Sequence, residues 1–263
     1  MKVLDRQAPY SSFLDQVSGA HQRILLLDYD GTLAPFTAKR DQAFPYPEIP
    51  ALLERIMRCG TRLVLISGRS APEVISLIGM LPHPEVWGSH GLERIMADGS
   101  HFLGALPASA EAGLKDAFLT LQEVGLDKFL ERKLGSIAAH WRGLPVEEQE
   151  SLRVRVLKAW QPLLAHYPLT LLEFDGGLEI RLVSANKGDA VRCILREAEV
   201  PPVVAYLGDD CTDEDAFHAL KGRGLPILVS PQPRPTAAEI WLKPPHELLD
   251  FLRQWLVACG GAA

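Results

Sequence analysis

Two carboxylates end an apolar run in RILLLDYDGTLAPF, residues 23–36. Residues 24–27 are continuously apolar and stop at Asp28-Tyr29-Asp30-Gly31-Thr32, the pattern of an interior parallel strand covered on both faces and closed by a turn. Side chains two apart on extended backbone point the same way, so this spacing directs Asp28 and Asp30 toward one point beyond the strand. Asp before Gly is also ordinary turn chemistry, and the pair gains meaning only with three further groups. Ser67-Gly68-Arg69 follows a second β-rich run, residues 63–66. Asn186-Lys187-Gly188 sets a lysine at a helix start, where it opposes the helix dipole unless an anion is present. Gly208-Asp209-Asp210-Cys211-Thr212-Asp213-Glu214-Asp215 packs five carboxylates into seven residues. Such acids repel one another unless a cation is present, and a hard divalent ion such as Mg²⁺ suits carboxylate ligands.

Together these groups describe phosphoryl transfer. A carboxylate can accept a phosphoryl group as an aspartyl-phosphate, which splits hydrolysis into two steps. A second carboxyl beside it, its pKa raised by the like charge, can protonate the leaving alcohol and then activate water. Mg²⁺, Lys187 and Ser67 would hold the phosphoryl oxygens and offset developing charge.

Strands and helices in alternation must position these groups. After the first strand comes the Pro-rich loop APFTAKRDQAFPYPEIP, then a helical pattern in ALLERIMRCG that Gly60 stops. TRLVLISGRS repeats the strand-to-turn sequence. The next helix starts at Ser70 as cap, with Pro72 in its first turn and Glu73 as capping-box partner. EVWGSHGLERIMADGS reads as a strand, a glycine-bracketed turn and a hairpin strand. NKGDAVRCILREAEV is a helix. VVAYLGDDCTDEDAFHAL is a strand, an acidic turn and a helix, with Thr212 and Asp215 as a capping pair. LPILVS is a further strand and PHELLDFLRQWLVAC a terminal amphipathic helix. This alternation predicts an α/β fold with a doubly wound, Rossmann-like parallel sheet.

The grammar differs over residues 105–182. Leu114, Phe118, Leu121 and Val124 space an amphipathic helix; KFLERK and SIAAHWRG read as strands; a helix runs from about 146 to 166; LTLLEF and LEIRL are joined by Asp175-Gly176-Gly177. An α-β-β-α-β-β order predicts a smaller α+β domain inserted into a core built from residues 1–104 and 183–263. Alternation in SIAAHWRG places Ser136, Ala138, His140 and Arg142 on one face and Ile137, Ala139 and Trp141 on the other, and pairs Glu131 with Lys133 and Glu179 with Arg181. A layer polar in front and apolar behind suits a lid over a hydroxyl-rich sugar. Glu147, Glu148 and Glu150 read as the solvated start of a helix.

Bulk composition narrows the function classes. Lys and Arg total 27 against 33 Asp and Glu, a formal charge of −6, which argues against a nucleic-acid or anionic-membrane partner. No apolar run approaches the roughly 18 residues of a membrane span, and the N-terminus carries early charges rather than a leader. Cys59, Cys193, Cys211 and Cys259 lack metal-type or disulfide-type spacing, as expected of reduced thiols in the cytoplasm.

In order and spacing, Asp28-Tyr29-Asp30-Gly31-Thr32, Ser67-Gly68-Arg69, Lys187 and Gly208-Asp209-Asp210 resemble the four signature motifs of the haloacid dehalogenase phosphohydrolase superfamily. The resemblance implies Asp28 as nucleophile and Asp30 as general acid/base. It implies Thr32, Ser67, Gly68, Arg69 and Lys187 as phosphate binders, and Asp28, Asp30 (through its carbonyl), Asp209 and Asp213 as the Mg²⁺ site. Between Asp28 and Ser67 lie 38 residues, against 119 between Ser67 and Lys187, so the cap falls between the second and third motifs, as in the superfamily's sugar-phosphate phosphatases.

Within that group the chain is similar to the trehalose-6-phosphate phosphatase family through LLLDYDGTLAPF, LVLISGR, GSHGLE, SIAAHWR, LEIR with NKG, and LGDDCTDEDAF. The similarity implies hydrolysis of trehalose 6-phosphate in trehalose biosynthesis, under a closing cap, in functional partnership with a trehalose-phosphate synthase. It also implies sugar contacts from Glu131, Lys133, His140, Arg142 and Glu179. His90 and Glu93 sit where a core loop can meet substrate. One departure is Arg181-Leu182-Val183-Ser184, where the family usually has a proline. Two alternatives stay open: a phosphatase for a related glycosyl phosphate, such as glucosylglycerol phosphate or mannosyl-3-phosphoglycerate, and a non-catalytic sugar-phosphate-binding regulator.

Overall fold

The computed structural model describes residues 2–3, 10–37, 39–174 and 176–262. The chain divides into two compact units, one made of residues up to 102 and from 186 onward, the other of residues 103–185.

The first unit carries a nine-stranded sheet in the order β1 (Lys2–Val3), β13 (Ile240–Leu242), β12 (Leu225–Val229), β11 (Val203–Gly208), β2 (Arg23–Leu27), β3 (Thr61–Ile66), β4 (Glu85–Gly88), β5 (Glu93–Ile95) and β6 (His101–Leu103). The six strands from β13 to β4 are parallel. Beyond them, β5 joins β4 and β1 joins β13 antiparallel. The apolar run of β2 is explained by its two faces. Leu25 and Leu27 pack into one core with helices α1 (Tyr10–Gly19), α2 (Ile49–Arg58), α3 (Ala71–Ile78) and α8 (His246–Ala258). Ile24 and Leu26 pack into a second core with α6 (Lys187–Arg196) and α7 (Glu214–Leu220). A strand buried on both sides has no polar face to alternate with. The doubly wound parallel sheet expected from the sequence is therefore present, and α1, β13 and the short edge strands β1 and β6 add to it.

Two expected helix caps are built differently. Ser70 has no side-chain capping bond; Glu93 Oε2 accepts the Ala71 amide at 2.6 Å instead, and Glu73 turns to Arg69. In the acidic turn, the cap is Asp210 rather than Thr212: Asp210 Oδ1 accepts the Thr212 amide, and the reciprocal partner is Asp213, not Asp215.

The second unit holds a four-stranded antiparallel sheet in the order β7 (Leu130–Lys133), β8 (Ser136–His140), β10 (Gly177–Leu182), β9 (Leu169–Phe174). Helices α4 (Ala108–Gln122) and α5 (Val146–Trp160) pack on it. The buried stripe of α4 is Ala110, Leu114, Ala117 and Leu121; Val124 falls past its end and is half exposed, so the stripe follows a 3-4 spacing set by the small alanines. The α-helical part of α5 ends at Trp160, six residues short of the expected end, because Pro162 cannot supply the next amide; a 3₁₀ turn over Gln161–Ala165 replaces it. Trp160 Nε1 donates to the Ala117 carbonyl at 3.0 Å and ties the two helices. Of the hairpin link expected at Asp175-Gly176-Gly177, Asp175 lies outside the described residues and Gly177 is already in β10.

Trp255 is fully buried against Phe13 and Phe251 and donates to Thr61 Oγ1 at 3.1 Å. Replacing it with alanine removes the largest side chain between α1, α2 and α8. Trp255→Ala is expected to lower the unfolding free energy of the first unit by about 3–5 kcal/mol, read as a lower urea midpoint with an unchanged m-value.

Candidate active site

At the carboxyl ends of the parallel strands, the Asp28 amide donates to the Leu207 carbonyl at 2.9 Å, so β2 and β11 release their acidic turns side by side. The lysine opens α6, whose cap is Asn186: its Oδ1 accepts the Asp189 amide at 2.9 Å. Lys187 Nζ donates to Asp28 Oδ1 at 2.5 Å and to Asp213 Oδ1 at 2.8 Å. The anions that resolve its conflict with the helix dipole are thus the protein's own. All three side chains are at most 4% exposed. Gly188 allows the approach of α6 to α7, because a Cβ there would lie 2.4 Å from the Asp215 carbonyl oxygen.

The five acids of the turn have separate tasks. Asp213 accepts from Lys187 and the Tyr206 hydroxyl (2.6 Å) on Oδ1, and from the Asp209 and Asp210 amides (3.0 and 3.1 Å) on Oδ2. Asp210 caps the turn through Thr212. Glu214 accepts from Arg234, the Thr236 hydroxyl and the Ala237 amide. Asp215 is exposed. Asp209 completes a group with Asp28 and Asp213 in which one carboxylate oxygen from each lies within 4.8 Å of the others. Gly31 leaves room for it: with φ +83°, a Cβ at this position would fall 2.1 Å from Asp209 Oδ2.

Crowding and burial shift these groups together. Burial pushes the Asp28 carboxyl up to about 7, with Lys187 pulling against it and Asp213 adding to it. Burial and then Asp28 and Asp213 hold Asp209 well above the usual carboxylate range. For Lys187, burial favours the neutral amine, but Asp213 and Asp28 outweigh it and hold the ammonium charged. Asp28 Oδ2 is buried without a hydrogen-bond partner among the described residues, as is the hydroxyl of Thr32. Buried polar atoms are normally paired, so the orphan oxygen of Asp28, a member of the acidic cluster, is the feature a bound cation or phosphoryl group would satisfy.

Asp30 departs from the simple two-carboxylate picture. Its neighbour is a cation: Arg69 Nε and Nη2 grip Oδ2 and Oδ1 at 2.6 and 2.7 Å. The rest of the guanidinium goes to the Arg40 carbonyl and to Glu73, so Arg69, expected on the phosphoryl group, is spent on Asp30. Ser67 Oγ accepts the Arg69 amide at 3.1 Å, which leaves the hydroxyl proton free to donate. The GSHGLE segment braces this loop. Ser89 and His90 donate their amides to the Arg69 and Ser67 carbonyls at 2.7 and 3.0 Å, and both hold left-handed φ values, +50° and +56°. The His90 ring packs where a Cβ on Gly68 would sit, 2.7 Å from Cε1. His90 and Glu93, expected where a core loop can meet substrate, brace the Ser67–Ala71 segment, whereas Tyr206 and Arg234 are parts of the site that no sequence spacing singled out.

In the second unit, the register sets Glu131, Ala138 and Glu179 in one row and Lys133, Ser136 and Arg181 in the next. Glu179 Oε1 accepts from Lys133 Nζ at 3.1 Å and Ser136 Oγ at 2.7 Å; Glu131 Oε2 lies 2.7 Å from His140 Nε2. The alternation expected through Arg142 stops at His140, because the Trp141 and Arg142 amides both turn to the Gly176 carbonyl. Arg142 is exposed beyond the strand, whereas Trp141 is buried.

The chain matches the trehalose-phosphatase family over residues 26–244. It is 31% identical over 247 residues to the trehalose-phosphate phosphatase of Mycobacterium tuberculosis, a match that covers 88% of this chain and 61% of that protein. The chain thus spans about three fifths of the length of that relative. Its fold resembles the C-terminal domain of Candida albicans trehalose-6-phosphate phosphatase (TM-score 0.77, 20% identity, 100% of both chains). It also resembles the C-terminal domain of the Candida albicans trehalose synthase regulatory protein (TM-score 0.71, 13% identity, 92% of this chain and 97% of that one).

The mutual repulsion of Asp28, Asp209 and Asp213 makes the metal-free site a liability to folding. Asp209→Asn is expected to raise the melting temperature of the metal-free protein by a few degrees, on the order of 1 kcal/mol, and to abolish any further rise on adding Mg²⁺. Thermal denaturation with EDTA and with MgCl₂ checks both signs.

Proposed function

The chain belongs to the trehalose-phosphatase family, and from that membership and the geometry around Lys187 we propose that it hydrolyses trehalose 6-phosphate to trehalose and phosphate. The observation that carries the reading is the buried Asp28 carboxylate, paired through Oδ1 to Lys187 and unpartnered at Oδ2. A carboxylate so placed can hold a cation by one oxygen and attack phosphorus with the other. The Asp28 oxygen–phosphorus bond forms as the bond from phosphorus to the sugar oxygen breaks, and Asp30 delivers a proton to that oxygen. Water then attacks phosphorus while Asp30 takes its proton, and Asp28 is released. Arg69 holds both Asp30 oxygens, so one of them must be let go before the acid can reach the leaving group.

Lys187, the Ser67 hydroxyl and the buried Thr32 hydroxyl bind phosphoryl oxygens in this scheme, and the Gly68 backbone lines the same loop. The residues present fit a hard divalent cation. Asp28 and Asp209 would hold it directly, with the Asp30 carbonyl, while Asp213, already filled by four donors, braces the other two. When bound, Mg²⁺ neutralises charge on the phosphoryl oxygens. Glu131, Lys133, His140, Glu179 and Arg142 supply partners for sugar hydroxyls. A sugar-phosphate substrate also implies a synthase that supplies it. Among the described residues no helix is long and apolar enough to cross a membrane, and four free thiols suit the reducing cytoplasm.

A second reading, a non-catalytic sugar-phosphate-binding regulator, draws on the fold shared with the regulatory protein of Candida albicans. Phosphate release decides between them, measured with Mg²⁺ on trehalose 6-phosphate, glucose 6-phosphate, sucrose 6-phosphate, glucosylglycerol phosphate and mannosyl-3-phosphoglycerate. The expected result is a kcat/KM for trehalose 6-phosphate at least about 100-fold above the others, abolished in Asp28→Asn. Preference for another substrate reassigns the sugar; binding of trehalose 6-phosphate without turnover supports the regulator.

Asp30 is tested through the leaving group. With trehalose 6-phosphate, Asp30→Asn is expected to lower kcat by about 10²–10⁴-fold. With 4-nitrophenyl phosphate, whose leaving group departs without a proton, the first step should survive in Asp30→Asn as a burst of nitrophenolate stoichiometric with enzyme, while steady turnover falls because Asp30 also activates the water of the second step. Loss of that burst would remove Asp30 from the acid role.

A further inference from the structure

Arg234 belongs to none of the motifs, yet it is the most heavily bonded cation beside the acidic turn. Its Nε donates to the Asp209 carbonyl at 3.2 Å and its Nη2 to the Asp210 carbonyl at 2.6 Å. Its Nη1 takes the Glu214 carboxylate and the Pro235 carbonyl. The planar fork therefore grips two successive peptide groups of the turn that carries Asp209, and it does so without occupying the carboxylate of Asp209 or of Asp210. That leaves the Asp209 side chain within the group it forms with Asp28 and Asp213.

The loop that presents Arg234 is itself fixed. It joins β12 to β13, and both ends are tied to the sheet: the Ser230 amide donates to the Leu242 carbonyl at 3.0 Å and the Glu239 amide to the Pro226 carbonyl at 2.9 Å. Within it, Thr236 Oγ1 donates to Glu214 and accepts the Ala238 amide, and the Ala237 amide donates to Glu214 Oε2. Glu214 opens α7, so the guanidinium lies between a loop anchored at both ends and a helix start. A cation held there also offsets the charge of the acids without drawing on the Asp209 carboxylate.

We infer that Arg234 is a positioning residue for the divalent cation, acting through the backbone of Asp209 and Asp210 to hold the Asp209 carboxylate in ligating position. The inference rests on the metal reading proposed above. It deepens that reading by placing part of the site's metal affinity in a residue that touches neither metal nor substrate. Groups behind the ligands typically contribute about 10–100-fold to metal affinity.

The test is isothermal titration calorimetry of MgCl₂ into the full chain, for the wild type, Arg234→Ala and Arg234→Lys, with the melting temperature of each in EDTA. The expected result is Mg²⁺ binding about tenfold weaker in Arg234→Ala and only partly restored in Arg234→Lys, which keeps the charge but cannot fork across two carbonyls. A lowered metal-free melting temperature with unchanged Mg²⁺ affinity would make Arg234 a structural clamp alone and overturn the inference. If Arg234→Ala does not fold, the lysine variant decides: weaker Mg²⁺ binding supports the inference and wild-type affinity overturns it. A wild type that binds no Mg²⁺ overturns the metal reading and this inference together, whereas equal binding by all three overturns this inference alone.

Discussion

Everything at the carboxyl edge of the parallel strands depends on one ammonium group shared by two buried carboxylates. A buried charge is tolerable only when it is paired and hydrogen-bonded, and Lys187 Nζ does this for Asp28 and Asp213 at once. Asp213 is then saturated by Tyr206 and two amides, which turns it into a rigid post. Asp28 is left with a single unfilled oxygen. The arrangement leaves one carboxylate open to a ligand by over-satisfying its neighbour. It also fixes α6, since Lys187 is the first residue of that helix, and therefore couples the start of a helix to the ends of β2 and β11.

A second centre stands on the other side of β2, where Arg69 collects Asp30, Glu73 and the Arg40 carbonyl. Its loop is braced from below by Ser89 and His90 in left-handed conformations. Non-glycine residues adopt such backbone only where the surroundings compel it, and they cluster where geometry matters for function. Glu93 completes the brace by taking the Ala71 amide at the head of α3. The two carboxylates of the opening motif therefore live in different environments: Asp28 is buried on a lysine it shares with Asp213, and Asp30 is part-exposed in the fork of an arginine it shares with Glu73.

Local patterns made much of this legible. The apolar run of residues 24–27, the repeated strand-to-turn sequence before Ser67 and the acid-rich turn at 209–215 each carry their message within a few residues, and each marks a strand end in the parallel sheet. What local pattern could not show is which partner a side chain chooses across the chain. Arg69 looks like a phosphate ligand until Asp30, 39 positions away, is seen to fill its fork. Glu73 and Asp215 fit capping formulas that lost to Arg69 and to the Asp210–Asp213 pair. Arg234 sits in a proline-broken loop with no periodicity to mark it. In the α+β unit, alternation identified the side-chain pairs among Glu131, Lys133, Ser136, His140 and Glu179 as one face of the sheet, and failed at Arg142, where a single glycine carbonyl draws in two successive amides.

The order of the strands has a consequence for how the chain comes into being. β2 pairs with β3 on one side and with β11 on the other, and the whole second unit is encoded between those two partners. During synthesis, β2, β3 and β4 can associate while the opposite edge of β2 still lacks its neighbour. From residue 66 to residue 208, at about 5–20 residues per second, that interval is on the order of ten seconds. Throughout it, the nascent sheet exposes unpaired backbone groups of its most apolar strand, the kind of edge that recruits other chains. Asp28 is made early and Lys187 late, so the edge that carries the acidic cluster stays open while the whole second unit is made.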